Sequence, residues 1–333
     1  MHRIVRRENL PENDARSAMA VVLAGEATTP QIVAFLVALV MKGETVDEVV
    51  GFARAMRAAA NKVDAGPGEG PLLDTCGTGG DCASTFNIST IAAFVVAGAG
   101  GRVAKHGNRS ISSRCGSADL LEALGVKVGL SAEESGLAIH ELGIGFLFAP
   151  ALHPAMRYAQ PARLELKMRT VFNLLGPLAN PANASAQLVG APSVPAAELI
   201  AEVLARLGLE RGFVVHGSDG LDEITTTGPT LALEITRGAI VHHTLTPDDF
   251  GVPQGTPADL RGGEPALNAE IARAVLSGAA GPQRNVVLVN SSAALVAIGR
   301  ARSFREGAAL AAESIDSGAA MTKLNALINW RRQ

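Results

Sequence analysis

Two glycine-rich stretches, each set where an apolar strand gives way to a helix, restrict this chain more than any other feature. The first is Asp74-Thr-Cys-Gly-Thr-Gly-Gly-Asp81, directly after Leu72-Leu73, which reads as the end of a short buried strand. Thr85-Phe-Asn-Ile-Ser-Thr90 follows, then a small-residue apolar run from Ile91 to Gly101 that reads as a buried helix. A strand, a glycine turn and a helix start form a cradle of backbone N–H groups. Missing Cβ atoms let the backbone approach an anion, and the helix N-terminus adds partial positive charge. Ser89 and Thr90 add hydroxyls, and Asp81 adds a carboxylate that can hold a ligand hydroxyl or order the loop. Phosphate or pyrophosphate suits such a cradle, although a tight turn that packs a helix on a strand needs the same glycines.

The second stretch favours the ligand. Arg102-Val-Ala104 reads as another short strand, ending in Lys105-His106-Gly107-Asn108-Arg109-Ser110, then Ser112, Ser113, Gly116 and Ser117. Cations, hydroxyls and a glycine thus gather after a strand end, where ligands settle in open α/β sheets. The whole chain carries a net charge of −3. A basic cluster inside an acidic chain suits a small anion and argues against nucleic acid as a partner. A third feature is Asp219-Gly-Leu-Asp222-Glu223 after the strand Phe213–His216. Adjacent carboxylates beside a pyrophosphate are what hard Mg²⁺ takes, completing its octahedron with water and phosphate oxygens. A solvated acidic turn is the other way to read a bare Asp-Glu pair.

Around these motifs the chain divides in two. Residues 1–65 read as helices only: one from Pro11 to Gly25, one opened by Thr29-Pro30 and ended by Gly43, and one opened by the capping box Thr45-Val-Asp-Glu48. Three short helices bury too little alone. The stripe Ile32, Phe35, Leu36 and Leu39 fits an intramolecular core and a dimer face equally. Asp64-Ala-Gly-Pro-Gly-Glu-Gly-Pro71 is a glycine–proline linker. Over residues 72–333 strand and helix patterns alternate, with strands expected at Gly145–Phe148, Gln187–Gly190, Phe213–His216 and Val286–Val289, and a hairpin at Leu231–Leu245. Further helices are expected at Ser117–Leu124 and Ser131–Leu142. His153-Pro154 opens one that runs through Arg163, and Val171–Pro177 is an apolar segment broken by Gly and Pro. The expected fold class is therefore α/β: a small N-terminal α-helical domain plus a larger α/β domain with a mostly parallel central sheet flanked by helices.

Four blocks in this order and spacing, GTGGD, TFNIST, KHGNRSISS and GSADLLEALG, together resemble the anthranilate phosphoribosyltransferase family. The resemblance extends over nearly the whole chain. It implies a glycosyltransferase of tryptophan biosynthesis that joins anthranilate to the sugar of phosphoribosyl pyrophosphate, working as a homodimer through the helical domain, to which helices from about 153–183 also belong. Matching the blocks places Gly77, Gly80, Asp81, Thr85, Asn87, Ile88, Ser89, Thr90, Lys105, His106, Gly107, Asn108, Arg109, Ser110, Ile111, Ser112, Ser113 and Ser117 around phosphoribosyl pyrophosphate. It assigns Gly77, Asn108 and Arg163 to anthranilate, and Ser89, Asp222 and Glu223 to magnesium. Adjacent residues do not easily chelate one ion together, so two Mg²⁺ per subunit are expected. Arginine meets a planar carboxylate in bidentate fashion, which lysine does not. His106 is a weak catalytic candidate: it polarises the amine, stacks on the ring, or braces its loop. His153 and Tyr158 are candidate walls of the anthranilate channel. Cys82 departs from the family, where a further glycine is common; Ile111 and Cys115 are milder variations.

Two other functions share features with this chain. A pyrimidine-nucleoside phosphorylase has similar glycine loops but lacks the KHGNRS block and the Asp-Glu pair. A non-catalytic nucleic-acid-binding relative would carry a basic surface and lose the substrate residues. Cys76, Cys82 and Cys115 have neither CxxC nor zinc spacing and read as reduced. No signal peptide follows the basic N-terminus, and no apolar run reaches the ~20 residues of a membrane span. The expectation is a cytoplasmic protein with no membrane contact.

Overall fold

A seven-stranded sheet carries the architecture in a computed structural model that describes residues 1–80, 84–110 and 114–331. Its strands are β1 Leu72–Gly77, β2 Arg102–Gly107, β3 Ile144–Phe148, β4 Ala186–Gly190, β5 Arg211–Gly217, β6 Thr230–Thr236 and β7 Ala239–Leu245, in the order β3-β2-β1-β4-β5-β6-β7. The pairs from β3 through β5 are parallel, while β5–β6 and β6–β7 are antiparallel. The α/β class with an antiparallel far edge is thus the observed one. The chain leaves β1 to one side towards β2 and returns on its other side at β4. That reversal opens a crevice at the carboxyl ends of β1 and β4, the usual ligand position in such sheets.

Strand alternation sends Leu188 and Val215 to one face of the sheet and Val189 and Val214 to the other. The first face is covered by Ile88–Gly98, Ser117–Leu124, Pro265–Leu276, Pro282–Ala297 and the C-terminal helices. The second face packs on Val194–Arg206, on Val171–Leu178 and on the N-terminal helices Glu12–Leu23, Thr29–Lys42 and Val46–Ala58. Ile32, Phe35, Leu36 and Leu39 are all buried inside this second core, so the stripe is intramolecular.

Several local expectations change. Val286–Val289 is not a strand but the interior of the helix Pro282–Ala297. A four-residue apolar run buried on all sides carries no period that separates the two states. The helix cap before Pro30 is Thr28, boxed with Gln31, rather than Thr29. The helix expected from His153 through Arg163 is split into a 3₁₀ turn, Pro154–Tyr158, and a helix, Gln160–Leu166. Val171–Leu178 is a continuous short helix despite its internal Pro177. Finally, β1 runs on to Gly77 and β2 to Gly107, so Lys105 and His106 are strand residues rather than loop residues.

Candidate active site

At the reversal point two glycines let a carboxylate into the sheet. Gly77 and Gly190 are register partners at the ends of β1 and β4. A Cβ on Gly77 would stand 2.5 Å from Asp222 Oδ2, and one on Gly190 would overlap the Asp222 carbonyl oxygen. Asp222 is therefore seated between the strand tips because neither neighbour has a side chain. Its Oδ2 accepts the Gly79 N–H at 2.9 Å. Gly79 and Gly80 both have positive φ, +64° and +79°, which glycine adopts without strain. Glu223 Oε1 accepts the Ser89 N–H at 3.1 Å, at the start of Ile88–Gly98. The acidic block is held from behind by a residue of the helix Pro282–Ala297. Asn290 Oδ1 accepts the Ile224 N–H at 2.9 Å, and its Nδ2 donates to the Ile224 carbonyl at 2.9 Å.

Adjacent strand residues face opposite ways, and β2 uses this. Lys105 points to the helix Ile88–Gly98, where its ammonium donates to the Thr75 carbonyl and to Ser89 Oγ at 3.4 Å. Full burial pushes its pKa down, against the pull of Asp74, Cys76 and Glu223. His106 points the other way. Its Nδ1 lies 3.2 Å from the Gly176 carbonyl, and its ring centroid is 5.1 Å from that of His153. Burial pushes His106 down to about 4 and His153 down to about 3. Both rings are neutral near pH 7, and His106 Nε2 has no hydrogen-bond partner among the described residues. Asp74 Oδ1 anchors β2 by accepting the His106 N–H at 3.0 Å.

Arg163 stands on the helical side, its guanidinium 5.4 Å from the Phe172 ring centre. Burial lowers its pKa, and it makes no ion pair among the described residues. Phe172 and Gly176 are four residues apart on Val171–Leu178, hence on one helix face. The same short helix thus carries the ring beneath Arg163 and the carbonyl that meets His106.

The remaining predicted residues distribute unevenly. Asn108 Oδ1 accepts the Arg109 N–H at 2.7 Å, and its carbonyl accepts Ser117 Oγ at 3.2 Å. The Ser110 N–H meets Asp119 at 3.1 Å. Arg109 turns to Asp119 and Glu122, at 3.0 and 2.6 Å, which raise its pKa. Asn87 donates to the Cys115 carbonyl at 3.0 Å and accepts from Asn268 Nδ2 at 3.0 Å, tying the two loops. Thr85 bridges to Arg261. Ile88 and Thr90 are buried, which leaves their backbone as the part able to serve a ligand. Tyr158 packs its ring on Gly25, and its hydroxyl accepts from Arg157 at 2.7 Å. Cys76 and Cys115 are buried thiols whose pKa values burial pushes up, that of Cys115 to about 11. Asp81, Cys82, Ile111, Ser112 and Ser113 lie outside the described residues.

Sequence reasoning missed Arg169, whose Nη1 donates to the Gly79 carbonyl at 2.8 Å. Its one signal was a cation directly before Thr170, the cap of an apolar helix. As a metal site, the described residues hold no group of three His, Cys, Asp or Glu side chains. Two carboxylates and a hydroxyl do fit an ion that takes most of its shell from water and a bound phosphate.

The helical part and the sheet part match two models of one class. Residues 1–60 match the helical bundle domain of the glycosyl transferase family, and residues 69–321 match its a/b domain. An anthranilate phosphoribosyltransferase of Solibacter usitatus is 64% identical over 98% of this chain and 96% of its own length. One of Moorella thermoacetica is 55% identical over the same shares. The crystal structure of anthranilate phosphoribosyltransferase from Thermus thermophilus superposes with a TM-score of 0.93 at 45% identity, covering 98% of this chain and 97% of that one. The Saccharomyces cerevisiae enzyme in complex with PRPP and Mg gives 0.89 at 28% identity, covering 96% and 93%. The chain belongs to the anthranilate phosphoribosyltransferase family of glycosyl transferases. Among its described residues, no helix is long and apolar enough to cross a membrane.

Proposed function

We propose that this chain transfers the 5-phosphoribosyl group of phosphoribosyl pyrophosphate to the amino group of anthranilate, releasing pyrophosphate. The observation that carries this is the joining of separate motifs by three contacts at the carboxyl ends of the central strands: Gly79 to Asp222, Ser89 to Glu223, and Lys105 to Ser89. A yeast relative in complex with PRPP and Mg supports the same substrate and ion here.

Gly77, Gly80, Ser89, Lys105, Asn108 and Ser117 would surround the diphosphate and sugar. Asp222, Glu223 and Ser89 would hold magnesium, two ions per subunit. When bound, the ion neutralises charge gathering on the leaving group. On the opposite side of β2, Arg163 presents a half-buried cation without an acidic partner among the described residues, an arrangement that a ligand carboxylate would relieve. Asn108 helps, since its amide nitrogen donates to none of the described residues. Neutral His106 and His153 give the aromatic ring an uncharged, nearly dry wall.

The reaction is a displacement at ribose C1. The amino nitrogen forms the new C–N bond, the C1–O bond to diphosphate breaks with its electron pair leaving on oxygen, and the nitrogen then loses a proton. An aromatic amine is a nucleophile at neutral pH, so His106 serves positioning rather than strong base catalysis. Proximity and charge stabilisation supply the acceleration. A homodimer in the cytoplasm completes the reading. Val5, Met41 and Leu164 on the helical part are exposed apolar side chains suited to a subunit contact.

The test is a fluorescence assay with each component omitted in turn. Anthranilate is consumed only when phosphoribosyl pyrophosphate and Mg²⁺ are both present; consumption without either removes the proposal. Phosphorolysis of a pyrimidine nucleoside, or retention on heparin, would favour the rivals.

A further inference from the structure

Arg169 lies between the helices Gln160–Leu166 and Val171–Leu178, on the helical side of the molecule. Its guanidinium nonetheless reaches the first glycine loop. Nη1 donates to the Gly79 carbonyl at 2.8 Å and occupies the space that a Cβ on Gly80 would need. The other end of Gly79 is held too, because its N–H donates to Asp222 at 2.9 Å. One glycine is therefore gripped by the helical side through its carbonyl and by the β5 side through its N–H. Left alone, a glycine at positive φ is the freest residue in a chain, and an N–H cradle works only when its donors already point at the ligand.

The charge adds a second reason. Arg109 is neutralised by Asp119 and Glu122, and Lys105 is enclosed by the Thr75 carbonyl and Ser89. Arg169 is exposed and makes no ion pair among the described residues. It brings an unneutralised cation to the loop of the site that must hold the most negative part of the substrate.

We propose that Arg169 is a positioning residue that sets the Gly79–Gly80 backbone for the diphosphate, acting on that half of the reaction and not on the aromatic acid. This rests on the function proposed above.

The test uses the full chain with Arg169→Ala and Arg169→Lys, read by calorimetric binding of magnesium pyrophosphate and by steady-state kinetics. Arg169→Ala is expected to weaken magnesium pyrophosphate and to raise the KM for phosphoribosyl pyrophosphate by about tenfold or more. The KM for anthranilate and kcat should stay within about threefold, and Lys, which keeps the charge on a single donor nitrogen, should restore part of the loss. Gly80→Ala supplies an independent arm: its penalty should be smaller in Arg169→Ala than in the wild type, because the clashing nitrogen is gone. Pyrophosphate binding within twofold of wild type overturns the proposal. So does a rise confined to the anthranilate KM, or an unrescued loss that parallels a fall in Tm. A wild type that neither binds magnesium pyrophosphate nor consumes anthranilate would instead remove the function and this role together.

Discussion

Glu223 accepts the backbone N–H of Ser89 at 3.1 Å, so a carboxylate from beyond β5 closes the N-terminus of the helix Ile88–Gly98. A negative charge is favourable there, because the first N–H groups of a helix lack internal partners and carry its positive end. Asp222 makes the matching contact one residue earlier, to Gly79. The acidic pair is thus held in place by backbone amides, ready for an ion.

Replacing Asp222 and Glu223 by Asn and Gln keeps their shape and removes their charge. The magnesium-dependent rate should fall by roughly 10²-fold or more, as when a preorganised electrostatic group is deleted. Circular dichroism should show the fold retained. Turnover at the wild-type level in a magnesium titration would show that the pair holds no metal.

Arg163→Ala should raise the anthranilate KM by about 10- to 100-fold, the worth of one charge-assisted hydrogen-bonded pair. Arg163→Lys should recover little, since an ammonium cannot make the planar two-point contact. An unchanged KM in both variants would place the carboxylate elsewhere.

The buried imidazoles give a pH dependence of stability with a definite sign. His106 and His153 fall from 6.5 to about 4 and about 3 on folding. Between those values and 6.5 the unfolded chain binds more protons than the folded one, so stability rises with pH and is fully present above about 6.5. Each pH unit lost below that costs up to about 1.4 kcal/mol per ring. Urea titrations at pH 7 and pH 5 should show the loss, and His153→Gln should reduce it. A His153→Gln variant with an undiminished slope would contradict the assignment.

Asn290→Ala removes partners from both the N–H and the carbonyl of Ile224 in a buried setting. Two unsatisfied backbone groups should cost roughly 2–4 kcal/mol of stability. Because Ile224 follows Glu223, the magnesium requirement should shift to higher concentration as well. A stability loss with no change in the magnesium titration would confine Asn290 to the fold.

The sequence made some of this visible and hid the rest for physical reasons. Gly77, Gly79 and Gly80, the Lys105–Ser110 run and Asp222-Glu223 are readable because their chemistry is local: each motif sits at a strand end and announces a ligand by residue type. The helical character of Val286–Val289 was not readable, since a wholly apolar run loses its period when every side is covered. That error also concealed Asn290, which lies 66 positions from the residue it holds. Arg169 was hidden likewise, its contact with Gly79 lying 90 positions away. The opposite facing of Lys105 and His106 needed the true end of β2, which the strand pattern placed three residues too early.

The second core draws Met19, Leu36 and Phe52 of the leading helices into the same apolar mass as Val189, Val214 and Leu233 of the sheet. The first sixty residues are therefore not a cassette. A version spliced from one relative's front and another's back would have to be repaired along the entire seam, and a cut at the glycine–proline linker would leave both fragments sticky rather than independently stable.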